Sequence, residues 1–233
     1  MAETGLLISC EHGGYEVPPA YAALFVGQEK ILKSHRGWDP GALDMARQIA
    51  SQLQAPLEYA TVTRLLVELN RSPHHPQLFS ALCEKLNDYD RRQLLHNYYL
   101  PYRQKVEQNL GRLIGQHQKA LHISIHSFTP ILNGEVREVD IGLLFDPARK
   151  WESLLCEVMK KTLEELLPAM RIRFNEPYLG IDDGLTSYLR TRFEDLAYAG
   201  IEIEVNQKWV DSPELEQITA ALYQALGRLV KES

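Results

Sequence analysis

The chain has 233 residues, of which 45% are hydrophobic and 24% are charged, a composition typical of a globular protein with a sizeable core. Its net charge is −6 and it has no basic stripe, so nucleic acid is not an expected partner. The three cysteines form neither a metal-binding pair nor a disulfide framework, which favours a cytoplasmic location. The first residues lack the basic and long apolar segments of a signal peptide, so no membrane partner is expected.

Strand-like and helix-like patterns alternate along the chain. Apolar runs predict strands at 6–10, 57–61, 65–69, 121–125, 139–145, 170–174 and 201–205. Apolar residues at helical spacing predict helices at 40–53, 90–119, 151–166 and 185–193, and a last helix that opens at 212–213. The helix at 90–119 should kink or split near Pro101. No repeat or linker interrupts this order, which predicts one doubly wound α/β domain over residues 1–233.

Three side chains with catalytic potential follow or end apolar strand-like runs. His12 follows the run at 6–10, His126 follows 121–125, and Glu204 lies near the end of 201–205. In an open α/β sheet, ligands bind beyond the carboxyl ends of the strands. Two imidazoles and a carboxylate at such positions suggest a metal site with a general base, which is hydrolase chemistry.

The third metal ligand has several candidates. Asp39 precedes a predicted helix and is free to point into the crevice, although a simple helix N-cap is an equally plausible role. Glu11 is adjacent to His12, so its side chain tends to diverge from the histidine. Glu16 would suit only if residues 12–16 were helical, which the glycines at 13 and 14 disfavour.

Other site residues also have ordinary structural alternatives. Glu204 lies in a segment that alternates charged and apolar residues, as a half-exposed edge strand would. Arg71, after Asn70, could clamp a substrate carboxylate or form a surface ion pair. Cys10 could be a nucleophile, although small buried filler at a strand end is the commoner role.

Together these motifs resemble the N-formylglutamate amidohydrolase family. The matching segments, in chain order, are 10–14, 17–19, 35–42, 63–65, 69–71, 99–103, 126–128, 175–178, 183–186 and 203–206. The resemblance implies a phosphorylase/hydrolase-like α/β fold, shared with zinc carboxypeptidases, aspartoacylase and succinylglutamate desuccinylase. Such a fold is a single-domain three-layer sandwich with a mixed, mostly parallel sheet.

The resemblance also implies roles for individual residues. His12 and His126 would be ligands of one zinc ion, and Glu204 the catalytic base. Arg71 would bind a substrate carboxylate, together with Arg103. Further substrate contacts are expected within the matching motifs, at Asn70, Ser127 and Thr186.

The chain also departs from the family pattern around the first histidine. Members that cleave N-formylglutamate carry proline and serine where this chain has Glu11 and Gly13. Zinc carboxypeptidases place a ligand glutamate three residues after the first histidine, where this chain has Tyr15. Asp39 is therefore the preferred third ligand.

The leading hypothesis is a zinc-dependent amidohydrolase, in which an activated water attacks the acyl carbonyl of a small N-acyl amino acid. The alternative is a protein of the same fold that binds a small anionic metabolite or cell-wall fragment without turnover. A weaker third hypothesis is a thiol hydrolase that uses Cys10. The acyl group, the metal, the pathway and the oligomeric state are left open.

Overall fold

The computed structural model describes residues 4–232, so residues 1–3, part of the segment examined for a signal peptide, lie outside it. The strands are β1 Gly5–Cys10, β2 Leu57–Tyr59, β3 Ala120–Phe128, β4 Ile131–Leu132, β5 Glu135–Val136, β6 Ile141–Leu144, β7 Ile172–Phe174 and β8 Tyr198–Asn206. The helices are α1 Glu29–Leu32, α2 Ala42–Leu53, α3 Asp88–Leu94, α4 Leu100–His117, α5 Lys150–Leu166, α6 Leu185–Arg190 and α7 Pro213–Glu232. Within the described chain, no helix is both long and apolar enough to cross a membrane.

The main sheet has six strands in the order β2-β1-β3-β8-β6-β7. Its first four strands run parallel, whereas β6 pairs with β8 in the antiparallel direction and with β7 in parallel. Helices α2, α5 and α7 pack on one face, and α4 and α6 on the other. The predicted α/β class, a three-layer sandwich with a mixed, mostly parallel sheet, is confirmed.

Alternation along the central strands separates a predominantly apolar face from one that also carries polar side chains. Ile8, Ile123 and Ile201 belong to the core cluster beneath α2, α5 and α7. The intervening residues point to the opposite face, because successive side chains of a strand alternate. These include Ser9 of β1, His122, Ser124 and His126 of β3, and Glu202 and Glu204 of β8. The pairing of β3 with β8 places His126 beside Glu204.

Two expectations about individual segments are corrected. The predicted strand at 65–69 is wrong, because the segment is a series of turns in which the Leu66 N–H donates to Thr63 O at 3.0 Å. A continuous apolar run indicates burial, and here the buried segment is not extended. The edge-strand alternative for Glu204 is also wrong, since β8 lies between β3 and β6.

The sequence predicted a kink or split of the long central helix near Pro101, and the structure has an irregular turn there within one continuous helical segment. A π-helical turn, Leu95–Tyr99, separates α3 from α4. Pro101 lies just after this turn in a backbone that remains helical, and a proline has no N–H to donate to the preceding turn. The π-helical turn therefore lies where the proline interrupts the regular hydrogen bonding of the helix.

Candidate metal centre and active site

His12, Asp39 and His126 come together in one buried group, and their potential ligand atoms all lie within 4.8 Å of one another. The Nδ1 atoms of both histidines face Oδ2 of Asp39, at 3.2 Å for His12 and 2.8 Å for His126. Two imidazole nitrogens and one carboxylate oxygen are a donor set typical of catalytic zinc sites, in which water or substrate takes the fourth position. These residues therefore fit a divalent metal ion.

Local backbone contacts hold His12 and Asp39 in place. A Cβ atom at Gly13 would come within 2.9 Å of the Ala60 carbonyl oxygen, so only glycine allows the chain after β1 to pack this closely. The Asp39 N–H donates to His12 O at 2.9 Å. This bond fixes the carboxylate beside the imidazole before α2 begins.

Each histidine also contacts a second buried carboxylate through its other ring nitrogen. Nε2 of His12 hydrogen-bonds Glu68, and Nε2 of His126 lies 3.0 Å from Glu11. Such carboxylate–histidine pairs fix the tautomer and orientation of metal-binding imidazoles. Both Nδ1 atoms are thereby directed to the same point, next to Asp39.

The electrostatics of this group show strong pairing. Burial alone would raise the pKa of the Glu11 carboxyl, but His126, Ser124 and Tyr102 outweigh it and hold that pKa well below its usual range. Burial likewise opposes a charged His126, yet its carboxylate partners Asp39 and Glu11 raise its pKa well above the usual value. The site is thus a network of buried charges, and the pairing between them offsets the free-energy cost of removing each charge from water.

Arg64 and Glu68 are parts of this network that the sequence reasoning missed. Arg64 Nη1 lies 3.1 Å from Asp39 Oδ1, and its Nη2 lies 2.6 Å from Glu68 Oε2. One guanidinium thus braces a candidate ligand and the carboxylate behind His12. A signal was present, because a glutamate inside the apolar run at 65–69 must find a charged or hydrogen-bonded partner when that run is buried.

Glu204 lies at the same centre as the histidine–aspartate group. Its side chain lines the cavity that also contains His12, Asp39 and His126. Its Oε2 is buried and has no hydrogen-bond partner among residues 4–232. Burial raises the pKa of Glu204 to about 8, and the nearby Asp39 carboxylate adds to the effect of burial, against the opposing pull of His126. This carboxyl group is therefore available to exchange a proton with a molecule in the cavity.

The cavity measures about 170 Å³, and the predicted substrate residues Asn70, Arg71 and Ser127 line it. Arg71 Nη1 donates to the Asp183 carbonyl oxygen, and no carboxylate of the described chain pairs with its guanidinium. The side chains of Asn70 and Ser127 also form hydrogen bonds with the backbone around the cavity. Asn70 Oδ1 accepts from the Leu185 N–H at 2.7 Å, and the Ser127 hydroxyl donates to a backbone carbonyl.

Arg103 and Thr186 lie behind the cavity and are not among its lining residues. Arg103 is buried, and its guanidinium donates to the carbonyl oxygens of Leu69 and Arg71. The same guanidinium stacks over the Tyr188 ring. The Thr186 hydroxyl donates to Glu202 at 2.6 Å. In this geometry Arg103 supports the backbone that carries Arg71 and does not itself reach the cavity.

The remaining candidates lie outside the histidine–aspartate group. Glu16 is exposed and accepts a hydrogen bond from the Thr61 hydroxyl at 2.7 Å. Glu11 faces the far side of His126, away from Asp39. Cys10 is fully buried in the apolar core on the other face of the sheet, and burial raises the pKa of its thiol well above the usual value. Of the three proposed third ligands, only Asp39 lies beside both histidines.

Comparison with known proteins places this site in a family. The N-formylglutamate amidohydrolase family profile matches residues 4–210, a span that contains every residue of the site. The chain belongs to the N-formylglutamate amidohydrolase family. Membership supports amide-bond hydrolysis by a chain whose buried histidine–aspartate group could bind a metal ion.

Solved structures show the same fold. A gene product of Agrobacterium tumefaciens is 27% identical with a TM-score of 0.81, and the match covers 99% of this chain and 92% of that chain. The N-formylglutamate amidohydrolase from Ralstonia eutropha JMP134 is 14% identical with a TM-score of 0.73, and here the match covers 100% of this chain and 94% of that chain. Among curated proteins, none matches the chain significantly.

Proposed function

We propose that this protein is a zinc-dependent amidohydrolase that cleaves the amide bond of a small N-acyl amino acid of the N-formyl type. The observation that carries the proposal is the convergence of the Nδ1 atoms of His12 and His126 on Asp39. Glu204 lies in the same cavity, and its Oε2 has no hydrogen-bond partner within residues 4–232. His12, Asp39 and His126 would hold the ion. When bound, such an ion polarises a carbonyl oxygen and lowers the pKa of water.

Glu204 performs the proton transfers in this proposal. Its carboxylate accepts a proton from the attacking water and then delivers that proton to the leaving nitrogen. Burial makes the charged form poorly solvated and so raises the pKa of Glu204, whereas the positive charge of an ion held by His12, Asp39 and His126 would lower that pKa and favour the carboxylate that accepts the proton. The absence of a hydrogen-bond partner among the described residues leaves Oε2 available to water.

Arg71 binds the free carboxylate of the amino acid. It lines the cavity, and the hydrogen bond that its guanidinium donates to the Asp183 carbonyl oxygen orients the group without neutralising it. Arg103 acts through Arg71, since it donates to the Arg71 carbonyl at 3.3 Å. A small-molecule substrate and a cytoplasmic location remain predictions, and the free state of the three cysteines agrees with the latter.

The test combines metal analysis with turnover of N-formyl and N-acetyl amino acids. We expect bound zinc, loss of amino-acid release with a chelator, and recovery when zinc is returned. Glu204→Gln should keep the zinc and lose roughly 100- to 10,000-fold in kcat, whereas the exposed Glu16→Gln serves as the matched control. Full turnover by metal-free protein would refute the metal assignment, and tight substrate binding without turnover would favour the non-catalytic alternative.

A further inference from the structure

A second, larger cleft adjoins the active-site cavity. It measures about 810 Å³, against about 170 Å³ for the cavity, and the two share His35, Arg64 and Leu132 as lining residues. Arg36 and Arg91 line only the larger space, which we call the arginine cleft. A formyl group is a single carbon, so an N-formyl amino acid would leave the arginine cleft empty.

The charges of the arginine cleft are unbalanced. Arg64 is paired with Asp39 and Glu68, whereas neither Arg36 nor Arg91 has a carboxylate within 4.0 Å in the described part of the chain. Arg91 donates to a backbone carbonyl at 3.4 Å and lies over the Phe79 ring at 5.4 Å, which holds its guanidinium in place without neutralising it.

The two remaining ionisable groups of the cleft do not reverse this balance. Glu84 is the one carboxylate on the wall besides the paired Glu68. Burial and the neighbouring arginines lower the pKa of His35, so its imidazole is neutral at pH 7. Beyond the paired Arg64, the wall thus carries two arginines against one glutamate, and this local excess of one positive charge in a chain whose net charge is −6 favours an anionic ligand.

We propose that the arginine cleft binds an anionic group on the acyl arm of the substrate, several atoms from the scissile carbonyl. The inference rests on the proposed function, in which Arg71 holds the amino-acid carboxylate. Arg71 lines only the smaller cavity, whereas His35 and Arg64 line both spaces, so an acyl arm directed away from Arg71 would pass these two residues as it enters the cleft. The substrate class is then an amino acid acylated by a dicarboxylic acid, and a formyl substrate uses only part of the site.

The test compares acyl groups of equal size and different charge. The probes are N-glutaryl-glutamate, the neutral N-glutaramoyl-glutamate and the cationic N-(5-aminopentanoyl)-glutamate. The wild type should hydrolyse the glutaryl compound about tenfold better in kcat/KM than the glutaramoyl one, and added salt should reduce this preference. Arg36→Glu should abolish the preference and favour the cationic probe. Arg92→Glu, on a neighbouring residue outside the cleft, is the matched control and should keep the wild-type order.

Equal kcat/KM values for the glutaryl and glutaramoyl compounds, or an unchanged preference in Arg36→Glu, would overturn the inference while the proposed function stands. If the enzyme hydrolyses none of the probes and no N-formyl amino acid, the proposed function itself fails. In that case, calorimetric Kd values for the glutaryl and glutaramoyl compounds test anion binding by the cleft independently of turnover. Tighter binding of the glutaryl compound that disappears in Arg36→Glu supports the proposed anion site, and equal Kd values for the two compounds overturn it.

Discussion

Replacement of the buried His122 should change how the stability of the protein depends on pH. His122 is fully buried on the polar face of β3, where Nε2 lies 2.8 Å from Ser9 Oγ and Nδ1 lies 3.0 Å from Tyr198 Oη. Burial lowers the pKa of His122 to about 4 from the ordinary value of 6.5, and Arg190 and His126 add to that effect against Glu11. The perturbation is His122→Gln, which keeps polar atoms but removes the titration.

The sign follows from where the proton binds first. Above pH 6.5 the imidazole is neutral in both the folded and the unfolded chain, so the stability contribution is constant. As the pH falls below 6.5, the unfolded chain takes up the proton before the folded chain, and stability is lost until about pH 4. Each pH unit in this window costs about 1.4 kcal/mol, so titration of His122 should cost the wild type about 2 kcal/mol at pH 5.

The measurement is the free energy of unfolding in urea at pH 7.5 and pH 5, for the wild type, His122→Gln and the exposed control His96→Gln. Glu204 acts in the opposite direction, because its raised pKa of about 8 makes acidification favour the folded chain above pH 4.5. That contribution is common to all three proteins, so the difference between wild type and variant isolates His122. The stability gap to His122→Gln should shrink by about 2 kcal/mol at pH 5, and a constant gap would refute the reasoning.

Three further predictions concern the site. His12→Ala and His126→Ala should each lose bound zinc and hydrolysis while remaining folded, as judged by metal analysis and circular dichroism beside the exposed control His74→Ala; full zinc occupancy in either variant would contradict the ligand assignment. Arg71→Lys should lower kcat/KM for N-acyl amino acids about tenfold to a hundredfold, since one charge-assisted contact contributes about 1.5 to 3 kcal/mol, and an equal loss with the corresponding amides would show that Arg71 only supports its loop. Glu68→Gln should weaken zinc affinity roughly 10- to 100-fold in competition with a chelator, because the carboxylate orients His12; wild-type affinity would remove it from that role.

Local sequence patterns predicted which residues have catalytic potential. Apolar alternation predicted β3 and β8, and the polar residues near their ends included His126 and Glu204. The two-residue period of a strand places His126 on the opposite side of its strand from Ile125, and Glu204 on the opposite side from Ile203. The sequence could not show that the two strands are neighbours, because strand order depends on packing between distant segments. Their pairing, which sets His126 beside Glu204, is a result of the tertiary structure.

The partners within the supporting network were decided by the tertiary structure. Glu68 lies in a run that the sequence assigned to a strand, and only the turn at 63–66 brings its carboxylate to His12 and Arg64. Arg103 has the residue type of a carboxylate binder, yet its position on α4 places it behind Arg71. The sequence determined which side chains could bind a metal or move a proton, since chemistry belongs to the residue. Which of them meet depends on contacts between residues far apart in the chain, and only the folded protein supplies these.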